Sequence, residues 1–444
     1  MSDEQTYIGE WWLPENESIR IAGTLTIVEN KKFTLTLIGE LKNKSWKIDK
    51  IVGIASKPDE NRSYCFILYT NYKLNSSNIG YIRSKYSIFK LLKSGFKSVT
   101  EVNEFISFTI VSENFAKVHK LSSQKIDFGD NGNLKIEQKE LEKFLLFEND
   151  FKKYFFQIGL SYTVNFYRSQ FKNVSSVKVE YDKAVSLDQI KNDQKKLDCF
   201  FSLICDNATI STDITLFSEN DSEIENKISF KLYQKNKLLS TTHNSAKNYE
   251  TLFNLEEIKD NFDLIKFEDF YEKNEQLFGY FIDNKSNENL QTQNRFLNIV
   301  NALEIYSRKI EPDQSIKESH LDIRQNVLDK VSNNEKEWLK KRLKTIKRLN
   351  LKERLSHLSE KFLPENYNDF LDIDLDRIIE TRHKFVHSNV RCPDLVINDE
   401  ETLWVLTNKL EMLFSLIVFN ESGLNKNQMK KAFDKMIDNR PYLN

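Results

Sequence analysis

The sequence predicts an α+β protein. An antiparallel β-rich domain, sandwich-like or barrel-like, is expected over residues 1–250, followed by an all-α helical bundle over residues 251–444. Up to about residue 235, short runs of alternating apolar and polar residues are separated by polar turns, as in antiparallel sheets. From Thr251 onward the apolar residues follow helical spacing instead. A chain of 444 residues is also too long for one ordinary core, so at least two domains are expected.

The clearest strands of the first domain are residues 23–28 and 33–38, which alternate cleanly and are joined by a polar turn at 29–32. Trp11 and Trp12 stand just before Pro14. This aromatic pair fits a plug at the end of a sheet or, alternatively, a ligand-stacking surface. Further strands are predicted at residues 46–54, 63–72, 106–111, 154–158, 162–167, 177–181, 200–204 and 228–233.

The second domain is predicted to consist of antiparallel helices. Asn398 and Asn425 have the residue type and position of helix N-caps, and Gly423 is placed to end a helix. The helices are predicted at residues 255–283, 288–309, 316–331, 333–362, 372–388, 398–420 and 425–436.

The composition argues against several classes of protein. A net charge of −1, with 30% charged and 39% hydrophobic residues, indicates a soluble globular chain. An RNA partner would therefore need a local basic surface. The four cysteines follow no metal-binding or repeated spacing and indicate reduced thiols. No apolar run is long enough to span a membrane, and no secretory pattern is present at the N-terminus. We therefore expect a cytoplasmic protein with no membrane partner.

The most unusual stretch lies in the predicted helix 372–388. On a helical projection an apolar arc of about 120° forms one face, and Arg382 falls near its middle. The residues of the arc are Leu375, Ile378, Ile379, Phe385 and Val386. Buried charge is unusual unless it is paired. His383 and His387 project to the flank, about 40° apart and one turn from each other, so three ionisable groups cluster where a core helix would carry leucine.

A carboxylate partner for Arg382 is suggested by the predicted helix 288–309. Glu304 projects onto the flank of its apolar stripe, between Leu297 and Val300. Because a buried guanidinium favours a planar carboxylate, the hypothesis is that Glu304 and Arg382 meet in the bundle. The alternative leaves Glu304 in water at the edge of the stripe.

Metal-independent RNA cleavage would use these groups and need no cofactor. A 2′-hydroxyl attacks the adjacent phosphate, while one group removes its proton and another protonates the departing 5′-oxygen. Histidine suits both tasks, and a fixed guanidinium neutralises charge on the phosphorane. Arg382 and His387 are five residues apart, about 140° on an ideal helix. Either the helix ends before His387, or the long arginine reaches around, or a second subunit completes the site.

Two other interpretations of the cluster remain open. His383 and His387 have the spacing of zinc ligands, and Cys392 and Asp394 follow closely, but the glutamate of an HExxH motif is absent. The cluster could also be purely structural. Separately, residues 340–354 carry eight basic residues and one acid within the predicted helix 333–362. That cationic face is either simply solvated or follows RNA phosphates.

The run from Arg382 to His387, an arginine followed by a polar residue and a closing histidine, resembles the catalytic motif of HEPN ribonucleases. Residues 296–304 are similar to the early helix of ApeA-like HEPN domains. The opening residues 9–14 and 23–26 resemble the ApeA N-terminal domain. The resemblance implies an anti-phage abortive-infection ribonuclease of bacteria that cleaves tRNA or other structured cellular RNA to stop translation. It further implies an N-terminal sensing or restraining module, a phage component as trigger, and pairing of HEPN domains in a homodimer or higher oligomer.

On this view Arg382 steadies the phosphate, His387 acts as general acid or base, His383 assists or orients, and Glu304 holds Arg382. One rival hypothesis is a non-catalytic protein, in which the bundle is a dimerisation module and the β-domain binds a partner. A second rival is an antitoxin-like protein that neutralises another protein. Neither rival predicts RNA cleavage that is lost with His387.

Overall fold

The structure is a computed structural model. It describes residues 4–28, 32–41, 48–78, 82–95, 102–119, 124–128, 134–138, 142–165, 168–219, 228–234, 251–287, 289–311, 314–315, 318–342, 346–347, 349–371, 374–387 and 390–443. The chain divides into two compact units, Met1–Ile265 and Lys266–Asn444. The boundary predicted near residue 250 falls at the edge of 235–250, outside the described residues, and stays a prediction.

A closed barrel of six antiparallel strands forms the first part of the N-terminal unit. The strands are β1 (Glu4–Leu13), β2 (Asn16–Val28), β3 (Lys32–Ile38), β4 (Lys50–Ser56), β5 (Ser63–Asn78) and β6 (Ile82–Ser94). The barrel closes because β6 pairs with β3 on one side and with β5 on the other, so that the order β6-β3-β2-β1-β4-β5 returns to its start. Of the two predicted β architectures, the barrel is therefore the one observed, and the α+β class is confirmed.

The core of the barrel follows the alternation seen in the sequence. Leu25 on β2 and Leu35 on β3 are fully buried partners in the β2–β3 ladder, which confirms the predicted hairpin pairing, although its turn at 29–31 is outside the described residues. Trp11 and Trp12 are both buried, so the plug interpretation is confirmed. Trp11 lies directly on Gly53 of β4, where an added Cβ would come within 2.1 Å of the indole ring.

The rest of the N-terminal unit extends the sheet from β6 in the order β14-β13-β7-β12-β11-β10. Its elements are β7 (Glu104–Val111), β8 (Gln124–Phe128), β9 (Leu134–Gln138), β10 (Glu142–Glu148), β11 (Lys152–Asn165), β12 (Arg168–Ser186), α1 (Leu187–Ile204), β13 (Asp213–Ser218), β14 (Ile228–Gln234) and α2 (Leu255–Asn261). The strand predicted at 200–204 is wrong, because these residues form the last turn of α1. A short apolar run does not by itself distinguish a strand from a buried helical turn.

The C-terminal unit is a helical bundle. Its elements are α3 (Leu264–Lys273), α4 (Glu275–Ser286), α5 (Thr292–Ile310), β15 (Gln314–Ser315), α6 (Glu318–Asp329), α7 (Asn333–Arg342), β16 (Ile346–Lys347), α8 (Leu351–Phe362), α9 (Leu375–His387), α10 (Glu400–Glu421) and α11 (Lys426–Asp438). Helix α5 packs against α4, α8 and α10. The short strands β15 and β16 pair at the base of the α6–α7 hairpin. This places α5 and α8, which pack against each other, on either side of that insertion in the chain.

The helix ends show where sequence signals were sufficient. Asn425 caps α11 through a reciprocal capping box with Gln428, as predicted. The N-cap of α10 is Asp399 rather than the predicted Asn398. The first turn of the helix therefore begins one residue later, at Glu400. Gly423 follows α10 with a φ of +96°, a left-handed conformation that favours glycine, and the helix stops there as predicted.

Two long helices predicted from the sequence are divided in the structure. The predicted helix 255–283 is three helices, α2, α3 and α4, and the predicted helix 333–362 is interrupted between α7 and α8. At the second break, Asn350 starts a new helix with a capping box to Glu353. A strong N-cap within an apolar-periodic run is a local signal that outweighs the periodicity.

Helix α10 has the length and apolar character of a membrane span, but 78% of its most apolar stretch is buried inside the protein. A buried helix of this kind is the central helix of a bundle, apolar on every side because other helices surround it. We therefore describe α10 as a core helix.

Candidate active site

Helix α9 carries the Arg382 cluster, and its buried face differs from the predicted arc. Leu375 and Ile378 are buried as expected, but Val386 is 47% exposed. Buried in its place are two polar residues, Glu380 and Thr381. Buried polar groups need hydrogen-bond partners, and these two find them in the irregular segment 390–398 that follows the helix.

Both polar side chains hold that segment by accepting from its backbone. Glu380 Oε2 accepts from the backbone N–H groups of Arg391 and Cys392, at 3.0 and 3.2 Å. Thr381 Oγ1 accepts from the N–H of Ile397 at 3.0 Å. A segment outside helices and strands lacks the regular backbone hydrogen bonds that would satisfy its N–H groups. The side chains of Glu380 and Thr381 supply acceptors in their place. They fix the polypeptide beside the predicted catalytic residues without belonging to the motif.

Replacing Glu380 with alanine should therefore loosen this segment. We expect the free energy of unfolding to fall by about 1–3 kcal/mol, because two N–H groups lose their acceptor. Hydrogen exchange of peptides covering Arg391 and Cys392 should accelerate. Asp376→Ala is the matched control, since Asp376 lies one turn earlier in an exposed pair with Lys352. Unchanged exchange in Glu380→Ala would show that the two hydrogen bonds are not what holds the segment.

The structure brings Arg382 and Glu304 together. Arg382 Nη2 donates to Glu304 Oε2 at 2.9 Å, and the two side chains are 21% and 15% exposed. The Nε–H of Arg382 is buried and has no acceptor among the described residues. A buried donor without a partner is costly, so this N–H needs an acceptor that the described residues do not supply.

Glu304 also binds a second arginine. Arg308, one turn further along α5, donates from Nη2 to Glu304 Oε1 at 2.7 Å. Each carboxylate oxygen therefore holds one guanidinium, and the two arginines lie side by side. The sequence interpretation did not single out Arg308, although its spacing of four residues from Glu304 on a predicted helix is the signal that could have found it.

The two histidines occupy the end of α9. Their ring centroids are 6.2 Å apart with an angle of 62° between the planes. His383 is half-buried and His387 is exposed. Between them, Lys384 donates to Asn398, and Phe385 packs edge-on against Phe296 of α5.

Helix α9 continues through His387, which is its last residue. The possibility that the helix ends before His387 is therefore wrong. Arg382 and His387 remain about 140° apart around one helix, with the guanidinium bound toward α5 and the imidazole in solvent. Within one chain the motif is thus divided between two faces of the helix end, and either a long reach by arginine or a second copy of the chain must join them.

A cavity of about 520 Å³ lies on the other side of α9, between the first turns of α5 and α10. Lys384 and Phe385 line it from α9. Its α10 wall is acidic, because Glu400 stands there and accepts from Thr292 Oγ1 at 2.9 Å. Since a phosphate would meet a carboxylate at this wall, the cavity does not compete with the arginine face for an anionic substrate.

The described residues do not support the zinc interpretation. Among the described residues, no group of three or more His, Cys, Asp or Glu side chains is arranged to hold a metal ion. Cys392 is exposed and its backbone, rather than its thiol, bonds Glu380.

The basic run 340–354 is not the continuous cationic helix that was predicted. Residues 343–345 and 348 are outside the described part of the chain. Arg354 is buried, and its guanidinium donates to the backbone oxygens of Leu349 and Glu311. Lys352 pairs with Asp376 on α9. These two basic residues of the run therefore stabilise the bundle instead of facing a ligand.

Two models of known protein families match this chain, one in its N-terminal part and one in its C-terminal part. A model described as Apea-like HEPN matches residues 297–428, which include most of α5 and all of α9. The helical unit is therefore a HEPN domain, a class whose members are generally nucleases that commonly dimerise and bind RNA. A model described as ApeA N-terminal domain 1 matches residues 6–266. The chain belongs to the ApeA-like HEPN proteins, and this family identifies it as a HEPN-domain anti-phage abortive-infection protein. Comparisons with curated proteins and with solved structures found no match.

The family assignment leaves the individual residue roles as predictions. Arg382, His383, His387 and Glu304 all fall within the HEPN match. The structure adds the contact between Glu304 and Arg382, the second guanidinium of Arg308, and the continuation of α9 through His387. The supporting roles of Glu380 and Thr381 were missed because they depend on a segment that has no regular structure.

Proposed function

We propose that this protein is a metal-independent endoribonuclease that cleaves cellular RNA, with tRNA as the first candidate substrate, and so stops translation during phage infection. The observation that carries the proposal is the partly buried ion pair between Arg382 and Glu304, whose arginine lies on the same helix end as two histidines. A guanidinium fixed by a carboxylate is preorganised for an anion, and the imidazoles beside it can move protons at neutral pH.

The reaction would proceed by attack of a 2′-hydroxyl on the adjacent phosphorus. His387, which is exposed and within reach of solvent, transfers a proton as general base or acid. Arg382 neutralises the charge that develops on the phosphorane oxygens, and its Nε–H has no acceptor among the described residues. His383 orients either the substrate or the imidazole of His387. The products are a 2′,3′-cyclic phosphate and a 5′-hydroxyl, and no step requires a metal.

Pairing of two HEPN domains would remove the geometric difficulty within one chain. In a symmetric dimer the Arg382 face of one protomer can stand opposite the His387 face of its partner. In this arrangement the partner would also cover Val386, which is 47% exposed beside His387. The proposed working form is therefore a homodimer or a larger homo-oligomer.

The N-terminal unit is proposed to sense a phage component and to restrain the nuclease until that component binds. The setting of this activity is the bacterial cytoplasm, where both tRNA and phage products are present. A nuclease directed at the host's own RNA needs such restraint, since unregulated cleavage would stop growth without infection.

The proposal is tested by incubating the wild-type protein with total cellular RNA, with and without EDTA, and mapping the ends of the products. Cleavage is expected in both conditions. Arg382→Ala should cleave about 10²–10³-fold more slowly, as expected when a group that stabilises transition-state charge is removed. Arg377→Ala is the matched control, because Arg377 lies on the same helix about 140° away, where it pairs with Asp374 and is itself 39% exposed.

Equal cleavage by the wild type and Arg382→Ala would overturn the assignment. Cleavage that is lost on chelation would favour the zinc interpretation instead. An intact protein that dimerises but cleaves no RNA, with or without phage lysate, would support the alternative of a non-catalytic interaction module.

A further inference from the structure

The second guanidinium at Glu304 has no role in the motif of arginine and histidine. Arg308 contacts one oxygen of the carboxylate while Arg382 contacts the other. Two cations share one anion, so the group keeps a net positive charge at the surface. Arg308 is 64% exposed, compared with 21% for Arg382, so it presents most of this charge to solvent.

Stability alone gives little reason for this arrangement. An exposed ion pair four residues apart on a helix contributes only about 0.3–0.5 kcal/mol. Against that small gain, Arg308 places a like charge beside Arg382 and competes with it for the same carboxylate. The arrangement gains much more when an anion binds, because both guanidinium groups then face an opposite charge.

The neighbouring charged residues do not neutralise Arg308. Glu311, the next carboxylate in the chain and the C-cap of α5, binds His357 of α8, with Nδ1 and Oε2 2.7 Å apart. Lys309, the adjacent cation, donates to the backbone oxygen of Lys273 at 2.6 Å and is used within the bundle. Of the two consecutive basic residues on α5, only Arg308 is turned outward with Glu304 as its sole described partner.

We propose that Arg308 binds a backbone phosphate of the RNA substrate, next to the phosphate that Arg382 contacts. Glu304 holds both guanidinium groups in fixed positions, so a single strand can contact them in succession. A guanidinium has five N–H donors, and its bond to Glu304 leaves donors for phosphate oxygens. This inference rests on the proposed RNA-cleaving function and adds a substrate-binding residue outside the HEPN motif.

The test measures RNA binding in the full-length protein carrying His387→Ala, so that binding is separated from cleavage. The probe is a labelled single-stranded RNA 20-mer, and its Kd is determined between 50 and 200 mM KCl. Each phosphate contact on a single strand contributes about 0.7 to the slope of log K against log salt concentration. Adding Arg308→Ala should therefore lower the magnitude of this slope by about 0.7 and weaken binding at low salt several-fold.

Two matched variants complete the experiment. Arg308→Lys keeps the charge and should keep the slope, whereas Arg377→Ala removes a partly exposed arginine from another face of α9 and should leave the slope unchanged. Equal slopes for Arg308→Ala and Arg377→Ala would overturn the inference. So would a fall in the cleavage rate of Arg308→Ala in the otherwise wild-type protein without a change in slope, because that pattern means that Arg308 acts only through Glu304.

Failure of this inference is distinguishable from failure of the proposed function. If the wild type cleaves RNA and Arg308→Ala keeps the full salt slope, only the phosphate-binding role is lost. If the slope changes as expected but the wild type cleaves no RNA under any condition, the nuclease proposal is lost and RNA binding by Arg308 stands.

Discussion

Replacing His387 with alanine is expected to slow RNA cleavage by about 10²–10⁴-fold, the usual contribution of one general acid or base. The fold should be unaffected, because His387 is exposed and is the last residue of α9. The contact that it makes among the described residues is with the ring of His383. Initial rates on tRNA and on total RNA, together with a thermal melt, measure both effects.

His357→Ala is the matched control for this variant. His357 is also a surface histidine of the bundle, but it lies on α8 and pairs with Glu311. Its removal should leave cleavage close to that of the wild type. If His387→Ala kept full activity, or if the two histidine variants lost activity equally, His387 would not be the proton-transfer group.

Mixing two inactive variants shows whether the site spans two protomers. In a symmetric dimer whose site takes Arg382 from one chain and His387 from the other, a heterodimer of Arg382→Ala and His387→Ala has one intact site and one that lacks both groups. Random pairing would then restore about a quarter of the wild-type sites. If the site were formed within one chain, the mixture would stay inactive. The separation of Arg382 and His387 around α9 favours the first outcome.

The contact between Glu304 and Arg382 was predictable because Arg382 interrupts the apolar stripe of one regular helix and Glu304 lies on the flank of the stripe of another. A charge on a core-facing position needs a partner, and the bundle offers one at a similar depth. The same argument could have found Arg308, which stands one turn from Glu304. Helical periodicity therefore contains most of the information about residues that act from the middle of helices.

The roles of Glu380, Thr381 and Arg354 were not predictable by the same reasoning. Glu380 and Thr381 bind backbone N–H groups of the irregular segment after α9. Arg354 binds the backbone oxygen of Glu311 at the end of α5. In each case the partner is a main-chain group whose position depends on tertiary structure, and the sequence pattern contains no trace of it. The helix break before Asn350 was missed for a different reason. The residues of its capping box, Asn350 and Glu353, are visible in the sequence, but the leucine spacing predicts one continuous helix across them.

Replacing Glu411 with alanine is expected to destabilise the helical unit by about 3–5 kcal/mol, the usual cost of removing one partner from a buried ion pair. Glu411 lies in the middle of α10 and is 1% exposed. Lys285 Nζ is 3.0 Å from one carboxylate oxygen, and Arg295 Nη2 is 3.8 Å from the other. Asn284 Nδ2 donates to the carboxylate at 3.2 Å. Without Glu411, the ammonium of Lys285 remains buried without its counter-charge.

The pH dependence of this cluster has a definite sign. Burial by itself would raise the pKa of Glu411, but Lys285 and Arg295 outweigh burial and hold the pKa below the ordinary glutamate value of 4.5. A depressed pKa in the folded state means that the carboxylate contributes stability above pH 4.5 and loses that contribution as the pH falls through the folded-state pKa. Acid unfolding of the wild-type helical unit should therefore be steeper than that of Glu411→Gln.

Hydrogen exchange of peptides from α10 and α4 measures the stability that Glu411→Ala loses. The measurement uses the full-length protein and does not assume that both units unfold together. Glu401→Ala, which removes an exposed carboxylate from the first turn of the same helix, should change protection by less than about 1 kcal/mol.

A double variant, Glu411→Leu with Lys285→Met, should recover much of the lost protection, because apolar side chains of similar volume can replace a buried ion pair at little cost. Recovery would assign the destabilisation of Glu411→Ala to the unpaired ammonium. A double variant as unstable as Glu411→Ala would assign it to lost packing, and protection in Glu411→Ala equal to that of Glu401→Ala would show that the buried cluster does not stabilise the unit.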